Sequence, residues 1–66
     1  MSIDARRTRA LEQITRATAR LDAAMCSGVT VDVTDVCRAL NAWHDEAREL
    51  GATDEQIDAA RAAGIS

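Results

Sequence analysis

The sequence predicts an all-α protein in which two long helices form an antiparallel hairpin and a short third helix follows at the C-terminal end. Three observations predict this fold. Two long segments repeat apolar residues at steps of three and four, the spacing of one face of an α-helix. The chain contains no proline, and each of its three glycines follows the apolar repeat of one segment. Sixty-six residues amount to one small domain, which we place over residues 1–66.

The first helix is predicted from about Asp4 to Met25. Ser2 or Asp4 is placed to cap its start. Ser27 and Gly28 are predicted to end it, because glycine readily adopts the left-handed conformation just past a helix. The repeating positions on one face are Leu11, Ile14, Thr18, Leu21 and Met25.

The second helix is predicted from about Val33 to Leu50, with Gly51 as its stop. The preceding string VTVDV alternates apolar and polar residues as a strand does, but no partner strand exists elsewhere in the sequence. We therefore interpret it as an extended connector, with Thr30 or Asp32 capping the helix. The helical period is kept by Val33, Val36, Cys37, Leu40, Trp43, His44, Ala47 and Leu50.

The third helix is predicted from about Asp54 to Ala63. Thr53 and Gln56 have the spacing of a capping box, in which each side chain bonds the backbone N–H of the other. The string AGI suggests that Gly64 ends this helix in the left-handed conformation and that Ile65 folds back on the last turn. We expect the third helix to fold across one end of the hairpin.

The apolar content predicts that the chain dimerises into a helical bundle. Apolar residues make up 47% of the chain, but fourteen of them are alanines and Trp43 is the sole aromatic residue. So small a core leaves stability marginal, a problem that oligomerisation solves. The apolar sector of the second helix spans roughly 140°, more than one partner helix covers. The predicted dimer seam comprises Ile14, Leu21, Leu40 and Trp43.

Four arginines of the first helix form a stripe within a sector of roughly 80°, opposite its apolar face. Residues 1–27 carry five arginines and three acids, whereas residues 28–66 carry three arginines and eight acids. The favoured interpretation is a solvated face, partly paired with acids of its own chain or of a neighbouring subunit. An acidic protein partner and a nucleic acid are the alternatives for anionic contact. The stripe comprises Arg6, Arg9, Arg16 and Arg20.

Nucleic acid is the weaker of these alternatives. Nucleic-acid-binding domains are usually basic, whereas this chain has a net charge of −3. The stripe also has no lysine, asparagine or interleaved aromatic residue to read or stack on bases. All eight basic residues are arginine, as expected from a GC-rich gene, so the choice of arginine over lysine has little weight.

The sequence offers no set of residues that predicts catalysis or a cofactor. Cys37 and His44 lie two turns apart on one face and Cys26 could approach them, but a zinc site needs a fourth ligand. Cys37 is better explained as a small core residue and His44 as a boundary residue. With no nucleophile beside a base and no glycine-rich phosphate loop, we expect no enzyme, cofactor, metal or small-molecule substrate.

These observations favour a small non-enzymatic regulatory or adaptor protein that acts through helix–helix contacts, as a homodimer. The alternatives are a nucleic-acid-associated protein that uses the arginine stripe, and a small subunit of a larger assembly. The N-terminal segment lacks a long apolar run, so we expect no signal peptide and no membrane contact. Two cysteines form no disulfide framework. The expected location is therefore the cytoplasm.

Overall fold

The computed structural model describes residues 2–28 and 32–65, and over these residues the fold consists of three α-helices. Helix α1 spans Ile3–Cys26, α2 spans Thr34–Glu49 and α3 spans Asp54–Ile65. The all-α prediction is confirmed. Thr30 and most of the predicted connector lie outside the described residues.

Local side-chain chemistry explains where α1 begins and ends. The Ser2 hydroxyl accepts a hydrogen bond from the backbone N–H of Ala5 at 3.2 Å, so Ser2 rather than Asp4 is the cap. Asp4 instead pairs with Arg7 in the first turn, at 2.6 Å. Gly28, just past the helix, has a φ of 74°. The predicted start and stop of this helix are confirmed to within one residue.

Helix α2 begins where Asp32 accepts a hydrogen bond from the backbone N–H of Thr34, at 2.9 Å. Hydrogen bonding from the Thr34 side chain, together with this backbone bond, stabilises the ionised carboxylate and lowers the pKa of Asp32. The helix ends before Gly51, whose φ of 91° is one that residues with a side chain rarely adopt. The junction to α3 therefore depends on glycine at this position.

The capping box at the start of α3 is confirmed. The backbone N–H of Gln56 donates to the Thr53 hydroxyl at 3.2 Å, and the backbone N–H of Thr53 donates to the Gln56 side-chain oxygen at 2.9 Å. Two N–H groups that a helix start leaves unpaired are thereby satisfied.

The prediction for the end of α3 is wrong. The helix continues through Gly64 to Ile65, and Gly64 does not have a positive φ. Gly64 lies against α1, where an added Cβ would stand 2.5 Å from the carbonyl oxygen of Thr15 and 2.9 Å from the Cβ of Thr18. Glycine is needed here for close approach of two helices, and Ile65 remains 61% exposed instead of folding back.

The predicted position of α3 across the end of the hairpin is also wrong. Helix α3 packs along α1 as extensively as α2 does, and it touches α2 only slightly. The Thr15 hydroxyl donates to the carbonyl oxygen of Ala60 at 2.8 Å, and Gly64 lies one turn further along both helices, beside Thr18. Helix α3 therefore runs parallel to α1, which is the central helix of the fold.

The buried core is small and half of it is alanine. Ile14 is the largest side chain that is fully buried. Alanine permits close helix approach but removes little apolar surface from water, so each alanine contributes less to stability than a leucine would. The buried apolar residues are Ala10, Ile14, Ala17, Leu40, Ala47 and Ile57.

Candidate interaction surfaces

The structure separates the four residues of the predicted dimer seam. Ile14 is 0% exposed and Leu40 is 8% exposed within a single chain, so these two side chains have almost no surface left for a second chain. Leu21 and Trp43 are partly buried and line two different grooves. The seam as predicted therefore does not form one continuous surface, because α1 and α2 bury its centre against each other.

Trp43 lines an open groove between α1 and α2, which we name the central groove. Arg6 and Arg9 of α1 form one wall, and Trp43 and Glu46 of α2 form the other. Its volume is about 280 Å³. No residue of α3 is among these lining residues, so α3 does not cover the groove.

The two walls of the central groove carry opposite charge. The lining residues on α1 are the basic Arg6 and Arg9, and the charged lining residue on α2 is the acidic Glu46. Within residues 2–28 and 32–65, no acidic group lies within 4.0 Å of any guanidinium of the stripe. The expected pairing with acids of the same chain is therefore absent from this part of the chain.

The fold brings an aromatic residue beside the stripe, and the sequence of α1 does not indicate it. The stripe has no aromatic residue on its own helix, but the fold places Trp43 of α2 in one groove with Arg6 and Arg9. The helical period shows that Trp43 belongs to the inner side of α2. No local signal shows which α1 residues it meets, because that depends on the register between the two helices.

A second groove, which we name the end groove, opens where α1 and α3 finish and α2 begins. Its volume is about 130 Å³. Two of its apolar side chains are largely exposed, Met25 at 73% and Ile65 at 61%. The residues that line it are Thr18, Leu21, Asp22, Met25, Leu40, Arg61 and Ile65.

Three buried side-chain polar atoms lack a hydrogen-bond partner within the described residues, and one of them is Nε of Arg7. The Thr18 hydroxyl, in the lining of the end groove, is buried without a hydrogen bond. So is the Nε2 atom of His44. Burial lowers the pKa of His44, and the positive charges of Arg61 and Arg48 lower it further.

Cys26 is exposed, Cys37 is partly buried, and both are free thiols. Across residues 2–28 and 32–65, no three histidine, cysteine or acidic side chains are grouped closely enough to hold a metal ion. None of the helices described has the length and apolar character needed to cross a bilayer.

Comparison with protein-family models, with curated proteins and with solved structures finds no match to this chain. The candidate surfaces are therefore interpreted from their own chemistry.

Proposed function

We propose that this chain is a small non-enzymatic regulatory or adaptor protein that works through helix–helix contacts and forms a homodimer across the central groove. The observation that carries this proposal is the opposite charge of the two walls, with Arg6 and Arg9 on α1 and with Glu46 beside the partly buried Trp43 on α2. These charged groups have no ion-pair partner within 4.0 Å among the described residues of the chain.

A groove with one basic and one acidic wall is complementary to itself. In a dimer with two-fold symmetry, the same surface of both subunits meets, and residue i of one contacts residue j of the other. Two hairpins packed face to face would place the α1 wall of each subunit beside the α2 wall of its partner. Ala39 and Ala42, exposed one turn before Trp43 and Glu46, would allow α2 to approach the partner closely.

The surface area of the chain also favours a partner. Its accessible surface is 4666 Å². A compact monomer of 7.1 kDa would have about 4,100 Å².

Charge reversal tests the proposed dimer by sedimentation equilibrium. Arg9→Glu and Glu46→Arg should each weaken dimerisation, because each places like charges across the interface. The chain that carries both changes should dimerise more strongly than either single variant, since the two walls have then exchanged charge. A weaker dimer in the doubly changed chain than in both single variants would contradict a two-fold contact of these walls.

Two control variants change charge by the same amount elsewhere on the exposed surface. Glu55→Arg lies on α3 and Glu12→Arg lies on α1, and neither of these exposed residues lines the groove. Both should leave the dimerisation constant nearly unchanged. A parent chain that stays a folded monomer into the high micromolar range would overturn the proposal itself.

Nucleic-acid association is the second candidate function, and the position of Trp43 favours it. Single-strand-binding proteins combine cationic side chains with aromatic rings on which bases stack. Here Arg6 and Arg9 stand in one groove with Trp43, in a chain that has no phenylalanine or tyrosine. Strong quenching of Trp43 fluorescence by an oligothymidylate, weakened by salt, would favour this function over the dimer.

The third candidate function is that of a subunit in a larger assembly, and it predicts that the isolated chain is poorly folded.

A further inference from the structure

We infer that the end groove is a docking site for a partner polypeptide that inserts one aliphatic side chain with a carboxylate beside it. This inference does not rest on the proposed homodimer, because the central groove and the end groove share no lining residue.

The size and walls of the end groove suit one aliphatic side chain. Leu21, Met25, Leu40 and Ile65 supply apolar wall. The volume of about 130 Å³ is close to that of a cavity of about 150 Å³ that takes one benzene ring. A long acyl chain would not fit into this volume.

Two polar side chains of the end groove, Thr18 and Arg61, can donate a hydrogen bond to an acceptor atom of a ligand. The hydroxyl of Thr18 belongs to a residue that is only 5% exposed, and it has no hydrogen-bond partner among the described residues. The guanidinium of Arg61 has no acid within 4.0 Å in the same part of the chain.

The acid among the described lining residues, Asp22, accepts a weak hydrogen bond from the exposed Cys26 thiol, with 3.9 Å between Sγ and Oδ1. Arg61 and Thr18 can each donate a hydrogen bond, and a carboxylate or carbonyl oxygen on the ligand would accept it.

An NMR titration with N-acetyl-leucine tests the inference, because this compound carries one aliphatic side chain next to a carboxylate. We expect ¹H–¹³C methyl resonances of Met25, Ile65 and Thr18 to shift in a saturable way during its titration. N-acetyl-leucinamide, which is neutral, should bind about two- to fivefold more weakly, the range of a solvent-exposed ion pair. N-acetyl-glycine, which lacks the side chain, should produce no saturable shift.

Substitutions test separately the contact with the carboxylate and the contact with the aliphatic side chain. In Arg61→Gln, N-acetyl-leucine and N-acetyl-leucinamide should bind equally well, and the saturable changes in the methyl resonances should remain. Ile65→Gln should weaken both probes, whereas Ile3→Gln, which changes an isoleucine of nearly the same exposure at the other end of α1, should change neither. Heteronuclear spectra of each variant first establish that its fold is retained.

Three results would overturn the inference. The first is the absence of saturable shifts in a folded parent chain. The second is equal binding of the acid and the amide. The third is preferential binding of decanoate, which would indicate a lipid ligand. Repeating the titration with Arg9→Glu separates this site from the homodimer: the end groove should bind equally well in that variant, whether or not the parent dimerises.

Discussion

At the scale of single residues, Gly64 is the position whose role is least apparent from its neighbours in the sequence. A glycine near the end of a helical segment usually stops the helix. Here it continues α3 and allows the helix to lie against the backbone of Thr15. The same close approach lets the Thr15 hydroxyl reach Ala60 of α3.

Gly64→Ala should therefore destabilise the fold even though alanine is the better helix former. The added methyl would stand 2.5 Å from a backbone oxygen, so the helices must separate. We expect a net loss of about 1–2 kcal/mol in the free energy of unfolding, after a gain of about 1 kcal/mol in helix propensity.

Urea denaturation followed by circular dichroism measures the effect of Gly64→Ala. Ala62→Gly, at an exposed position of the same helix, is the control for propensity and should cost about 1 kcal/mol. A Gly64→Ala variant more stable than the parent would show that the contact with α1 is unimportant.

His44 should make stability depend on pH near neutrality. Its pKa is lowered from 6.5 by burial and by Arg61 and Arg48, while Asp45 and Asp58 act in the opposite direction. The unfolded chain therefore binds the proton more readily than the folded chain does. Stability is fully present above about pH 6.5 and falls as the pH decreases towards the lower pKa of the folded state.

The measurement compares melting temperatures between about pH 8 and about pH 5.5, above the range in which most carboxylates titrate. The parent should melt at a lower temperature at the acidic end of this range. His44→Gln should flatten the dependence. An equal fall of the melting temperature in both chains would assign the dependence to other groups.

At the scale of secondary-structure elements, the residues that begin and end the helices form short local patterns that the structure reproduces. The capping box of α3 depends on two side chains within four residues, and both of its hydrogen bonds are formed. The positive φ of Gly51 is likewise the one expected for glycine after a helix.

Thr53→Ala removes half of the capping box and should cost about 1 kcal/mol. Thr53→Ser keeps the hydroxyl and should cost much less, which distinguishes capping from any other effect of the substitution. Chemical denaturation of both variants provides the measurement. A Thr53→Ala variant as stable as the parent would mean that solvent replaces the cap without cost.

The arginine stripe of α1 contributes little to folding. Arg9, Arg16 and Arg20 are exposed, and no acid among the described residues pairs with them. Changing all three to glutamine should leave the stability of the folded monomer nearly unchanged, since surface substitutions of this kind move the free energy of unfolding by under about 0.5 kcal/mol each. Under the proposed function, the triple variant should instead lose dimerisation.

Binding of the parent to random duplex DNA is the discriminating measurement for this variant. Salt-sensitive binding by the parent that disappears in the triple variant would support the nucleic-acid function, because each lost phosphate contact reduces the salt dependence.

At the scale of the whole molecule, α1 organises the fold by contacting both other helices along its length. This arrangement leaves the central groove open on one side of the hairpin and the end groove open at one end. Both grooves combine apolar and charged side chains, which suits contacts that form between separately folded proteins.

Trp43→Ala should weaken association more than folding. The ring is partly buried, so its removal should cost less than the roughly 3–5 kcal/mol of a fully buried tryptophan. Sedimentation equilibrium of Trp43→Ala measures the loss of association, and its denaturation curve measures the loss of folding stability.

Trp43 is also the only aromatic residue, so a change in its fluorescence when the parent is diluted reports dissociation directly. Unchanged fluorescence from the millimolar to the nanomolar range would contradict a dimer seam at this residue.

Sequence alone determined the three helices, their ends to within about two residues, the Thr53 cap and the conformation of Gly51, and it narrowed the cap of α1 to Ser2 or Asp4. These features depend on interactions within a few residues along the chain, and such interactions appear as local patterns. Apolar periodicity identified the buried Ile14 and Thr18 on the inner face of α1, but Met25, predicted on the same face, is 73% exposed.

Only the tertiary structure decided which helix covers which face. Periodicity shows that a face is apolar, but the covering helix and its register depend on the fit of side chains that are distant in sequence. For this reason local patterns predict a helix end at Gly64, a position for α3 across the end of the hairpin, and a dimer seam that includes the buried Ile14. The meeting of Arg6 and Arg9 with Trp43, on which the proposed function depends, follows from the α1–α2 register, which no local pattern encodes.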